Sequence, residues 1–175
     1  MKSTGLVAMV AAGAALTACA PTLPGMAPAR GYTMIIGLTG EAEGPGLGDR
    51  DGSGTAELRI DPARGRLCYI ITVEGIAPAQ LTHIHKSPAG QSGGPIVVHL
   101  QPPTDGESED CMPIKPEVAV SLLRNPADYY LNVHNEEHPG GAVRGQLGWG
   151  ERRPPRIPDA PAPTPDCKDP PYCTR

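Results

Sequence analysis

Residues able to do chemistry are concentrated in one stretch of this 175-residue chain: all five histidines fall between positions 83 and 138. His83 and His85 stand two apart in Leu81-Thr82-His83-Ile84-His85-Lys86. On a strand that spacing sends both side chains to one face, ~6–7 Å apart, with Ile84 turned to the other. In Tyr129 to His134 the same alternation puts Leu131 and Val133 on one face and Tyr130, Asn132 and His134 on the opposite one. If the two segments pair, three imidazoles converge on one side of a sheet. Neutral imidazole binds zinc or copper at ~2.0–2.1 Å, so His83, His85 and His134 are candidate ligands for copper or zinc. Three such ligands with one open position would suit a catalytic or redox ion. The plainer alternative puts these histidines on a solvent or edge face, ordering Gly-rich loops through hydrogen bonds to Asn132 or to backbone carbonyls.

The remaining candidates are weaker. His99 alternates with Ile96, Val98 and Leu100, so it faces away from that apolar set and reads as surface. His138 sits in the loop Glu136-Glu137-His138-Pro139 and could extend a site with His134. Glu136, Glu137 and the acidic stretch Asp105–Asp110 match no calcium-loop spacing and read as solvated charge. No Ser or Cys has a credible base partner, and the Gly40–Gly54 stretch lacks the strand–loop–helix context of a phosphate cradle. No catalytic residue is assigned, and the reading leans away from an enzyme.

The elements that must position the histidines follow from a period of two in the apolar residues. Seven short segments read as strands: Tyr32–Leu38, Thr55–Ile60, Arg66–Val73, Leu81–Lys86, Pro95–Leu100, Tyr129–His134 and Ala142–Leu147. Pro116–Arg124 reads as one short helix stopped by Asn125-Pro126. Seven strands separated by turn residues predict an all-β fold, an antiparallel immunoglobulin-like or Greek-key β-sandwich.

Composition agrees: Gly and Pro number 22 each, Phe is absent and Trp149 is the single Trp. That excludes long helices and predicts a modest core in need of staples. A formal charge of −4 offers no electrostatic reason to expect a nucleic-acid partner.

Lys2 followed by an apolar run from Leu6 to Leu16 reads as a secretory signal peptide, too short to span a bilayer as a helix. Leu16-Thr17-Ala18-Cys19 resembles the lipobox of bacterial lipoproteins. That resemblance implies removal of residues 1–18 and lipidation of Cys19, with the membrane as a partner through the anchor. Ala20 in place of Asp points to the outer membrane or cell surface in a two-membrane cell. Residues 19–30 then form a Pro-rich tether, 31–150 the globular domain and 151–175 a Pro-rich tail. With Cys19 lipidated, an even set remains: Cys68, Cys111, Cys167 and Cys173. Export to an oxidising compartment predicts two disulfides, and of three connectivities Cys68–Cys111 with Cys167–Cys173 is favoured, the second closing a small loop in the tail.

Ordered motifs carry a wider resemblance. They run from Leu38-Thr39-Gly40-Glu41 through Gly52-Ser53-Gly54-Thr55-Ala56, Ile60-Asp61-Pro62, Leu67-Cys68-Tyr69 and His83-Ile84-His85 to Gly94-Pro95-Ile96-Val97-Val98. They close with Asn125-Pro126-Ala127-Asp128-Tyr129-Tyr130, Asn132-Val133-His134 and Pro139-Gly140-Gly141-Ala142-Val143-Arg144-Gly145-Gln146-Leu147. Over about 32–148 the chain resembles the CHRD domain, named for chordin. The resemblance implies an immunoglobulin-like sandwich in an extracytoplasmic setting; with the anchor and the staples, the chain reads as a lipid-anchored binding or structural module of the cell envelope, toward an envelope protein or glycan. The His-X-His strand, the Ala-Gly…Gly-Pro loop and the later Val-His are also similar in order to the copper/zinc superoxide dismutase sandwich. That second likeness would give His83, His85 and His134 copper-ligand roles, although no counterpart of the zinc-binding set is found.

Overall fold

A computed structural model describes residues 31–150 together with Pro155 and Ile157. Cys19, Cys167 and Cys173, the signal peptide, the tether and nearly all of the tail lie outside the described residues. The chain builds β1 (Tyr32–Thr39), β2 (Ser53–Asp61), β3 (Arg66–Glu74), β4 (Leu81–Lys86), β5 (Ile96–Leu100) and β6 (Glu107–Pro113). The helix α1 (Pro116–Arg124) follows, then β7 (Tyr129–His134) and β8 (Val143–Gln146). The all-β class and the single helix are as expected.

Two details differ from expectation. There are eight strands among the described residues, and they form one hydrogen-bonded sheet in the order β5-β4-β7-β8-β1-β2-β3-β6. The additional strand, β6, runs through the acidic stretch that reads in sequence as solvated charge. Glu-Ser-Glu-Asp shows no apolar alternation, because β6 lies at the sheet edge with its side chains largely exposed. Charge on an edge strand blocks pairing with other chains, so the absence of pattern is itself a property of the edge.

Every strand pair is antiparallel. The long β2–β3 ladder turns at Gly65, whose φ of +56° is the left-handed conformation glycine adopts freely. At β1–β8 the ladder narrows to one residue pair, Thr39 with Arg144. The sheet curls, and apolar faces from both sides of this seam share a core. Met34, Ile36, Leu58, Ile60, Leu67 and Ile71 come from β1–β3, and Ile84, Val98, Leu131 and Val133 from β4, β5 and β7. α1 closes the core with Ala119, Leu122 and Leu123; Pro116 starts it where a missing N–H costs nothing. Cys68 and Cys111 are direct cross-strand partners in β3–β6 and are disulfide-bonded. Closing that 43-residue separation restricts the unfolded chain by about 4 kcal/mol. Among the described residues no helix is long and apolar enough to cross a membrane.

Candidate metal centre

Register brings the predicted ligands together. β4 pairs with β7 so that Leu81 opposes His134, His83 opposes Asn132 and His85 opposes Tyr130. Ile84 and Leu131 therefore point into the core, where neither retains any exposure. His83, His85 and His134 share the other face. Their ring centroids are 5.6 Å apart for His83–His85, 5.1 Å for His83–His134 and 6.4 Å for His85–His134. One nitrogen from each ring lies within 4.8 Å of the other two.

The face is not open to solvent, as a strand-edge reading would have it. His83 is 7 % exposed and His85 and His134 are each 9 % exposed. Loops on both sides cover them, and the covering bonds are visible. Ser87 and Gln91 in the β4–β5 loop offer their carbonyls to Gln146 and Arg144. Gly94, on the same loop, has no room for a side chain against Lys86 and Ser87, so only glycine brings its carbonyl down onto His85. From the other side Glu43, on a 3₁₀ turn at Glu41–Glu43, lies so close to Gly141 that a Cβ there would collide with its carboxylate.

Hydrogen bonding fixes two of the three rings. His85 Nδ1 is 2.8 Å from the Gly94 carbonyl and His134 Nδ1 is 3.0 Å from the Pro139 carbonyl. A carbonyl only accepts, so each Nδ1 carries the proton and donates, leaving a lone pair on Nε2. Those two Nε2 atoms and His83 Nδ1 are enclosed with no partner among the described residues. Burial, with His134, His99 and His85 beside it, pushes His83 down to about 4. Burial likewise lowers His134, against the opposing pull of the Pro139 carbonyl. Both rings are neutral near pH 7, which is the state in which imidazole ligates a metal.

Around the three rings stands a polar shell, of which the sequence placed Tyr130 and Asn132 on the histidine face but gave Glu43 and Arg144 no place in the site. Tyr130 stacks flat on His85 with centroids 4.8 Å apart, and the Arg144 guanidinium lies 3.5 Å over the Tyr130 ring. Asn132, opposite His83, is buried with Oδ1 unpartnered. Glu43 is buried, which raises its carboxyl, while the Arg144 charge and a hydrogen bond to Asn132 oppose the rise. Arg144 was legible as a charge inside an apolar strand pattern; Glu43, in a Gly-rich loop, carried no signal of burial.

The other histidines separate. His99 is exposed, as expected, and stands beside His83. His138 does not join the three rings. It donates from Nδ1 to the Leu47 carbonyl and sits with Asp49 and Glu137 in a second, more exposed group.

The fold and the face together define an all-β domain with an enclosed polyimidazole cluster. The family model for the CHRD domain matches residues 35–147, and the chain belongs to the CHRD family. No curated protein and no solved structure matches it.

Proposed function

We propose that this CHRD protein binds one first-row transition-metal ion, copper or zinc, through His83, His85 and His134, and that it does so at the cell envelope on a lipid anchor at Cys19. One observation carries the metal reading: three imidazole rings brought together out of solvent, each with a buried nitrogen that has no partner among the described residues. Each buried polar atom left unsatisfied costs about 1–3 kcal/mol. The Nε2 atoms of His85 and His134 are both acceptors and cannot satisfy each other, whereas one cation satisfies both together with His83. The carbonyls of Gly94 and Pro139 hold two rings in the ligating tautomer, the usual role of groups behind a metal ligand. A binding module displayed outside the cytoplasm agrees with the lipobox-like Leu16-Thr17-Ala18-Cys19 and with the stapled domain.

Elemental analysis of the purified protein tests the metal reading. One copper or zinc per chain is expected, lost in the His83→Ala/His85→Ala double variant; protein that stays empty when dialysed against either ion overturns it. The anchor is tested separately. Cys19→Ser is expected to move the protein from the membrane to the soluble fraction, and a variant that stays anchored overturns lipidation.

A further inference from the structure

The imidazole nearest His83 is one outside the enclosed set. His99 is the cross-strand partner of His83 in β4–β5. Their rings stand perpendicular with centroids 4.9 Å apart, nearer than His134 at 5.1 Å or His85 at 5.6 Å. β5 is an edge strand, and His99 is exposed where the other three are buried. Its nitrogens are not among those lying within 4.8 Å of one another, so it stands beside the inner set and not within it. The core face of the same strand explains its position only in part: Val98 and Leu100 must point inward, which sends His99 outward, but outward placement does not require a histidine.

An enclosed site has an access problem. An aquated divalent ion must shed water to reach the enclosed nitrogens, and losing several waters at once is slow. A ligand at the rim lets water be replaced one bond at a time. Resting on the three-histidine reading above, we infer that His99 is the entry ligand of the centre: it captures Cu²⁺ or Zn²⁺ at the surface beside His83 and releases it to the enclosed nitrogens. Every step is a ligand exchange. One metal–water bond breaks as a metal–nitrogen bond to His99 forms, and that bond later breaks as bonds to the inner rings form. His99 gives a lone pair and takes it back while the inner rings give theirs and keep the ion; the metal's oxidation state does not change and no redox partner is required.

The test follows loading of the metal-free full chain with Cu²⁺ by stopped-flow absorbance, and measures equilibrium affinity by competition with a chelator. His99→Ala is expected to slow loading roughly tenfold while changing Kd less than about threefold, a separation of rate from affinity that a ligand bound only in transit produces. His99→Asp, which restores a ligating group at the rim but no aromatic ring, is expected to recover at least half of the lost rate. Loading of His99→Ala at the wild-type rate overturns the inference. A loss of affinity in His99→Ala as large as that in His134→Ala also overturns it, because His99 would then be a permanent ligand. Failure of His99→Asp to recover rate overturns it as well, assigning the ring a packing role. A wild-type chain that takes up no ion overturns the three-histidine reading, and this inference with it.

Discussion

The two flanks of the sheet bury polar atoms on opposite terms. In β1–β2–β3 alternation does one thing: apolar side chains enter the core, and polar ones reach the outer face, where Thr55 meets Thr72 and Arg59 meets Glu57. In β7 every residue is buried. Leu131 and Val133 enter the core while Tyr130, Asn132 and His134 lie beneath loops on the other face. The first flank is organised for stability, with the Cys68–Cys111 staple behind it. The second retains enclosed nitrogens that nothing among the described residues satisfies. A strand buried on both faces, polar on one of them, carries a desolvation cost that the first flank avoids.

Three experiments would break or sharpen this contrast. The largest effect is expected on the first flank. Replacing both Cys68 and Cys111 by Ser should lower unfolding free energy by about 4 kcal/mol in a denaturant titration, with metal stoichiometry unchanged. Equal loss of metal would show that the two flanks do not act separately.

The second experiment is acidification of the metal-free protein. His83 is held at about 4 in the fold against 6.5 for an ordinary imidazole. Above pH 6.5 both folded and unfolded chains carry it neutral. As pH falls toward 4 only the unfolded chain takes up the proton, so stability is lost across that window, by up to about 3 kcal/mol. His83→Gln should flatten the slope between pH 6.5 and 4. An unchanged slope would mean that His83 is not the group responsible.

The smallest effect is the most diagnostic. His134→Leu removes the unpartnered Nε2 and also the Nδ1 bond to the Pro139 carbonyl, two effects of opposite sign and similar size, so the metal-free domain should keep its stability to within about 1 kcal/mol. Leu58→Ala on the first flank should cost about 2–5 kcal/mol. A loss in His134→Leu as large as that in Leu58→Ala would make the histidine a structural core residue.

Much of the site was legible in the chain before folding, and the reason is local. Side chains alternate along any strand, so His83 with His85, and Tyr130 with Asn132 and His134, had to share faces wherever those strands lay. The helix at Pro116–Arg124 and the pairing of Cys68 with Cys111 were likewise within reach of spacing and composition. β6 was not, because an edge strand has no buried face to impose a pattern. Nor was the enclosure of the histidines, nor the approach of Glu43 and Arg144.

The sequence by itself settled which side chains point together, since a strand's period is a property of a few consecutive residues. Only the tertiary structure decided that β4 lies beside β7 in a register opposing His83 to Asn132, and that Gly94 and Pro139 turn their carbonyls onto the rings. Whether a face is wet or covered depends on loops that return from far along the chain. That choice is made by packing between distant segments, which alternation within any one of them does not record.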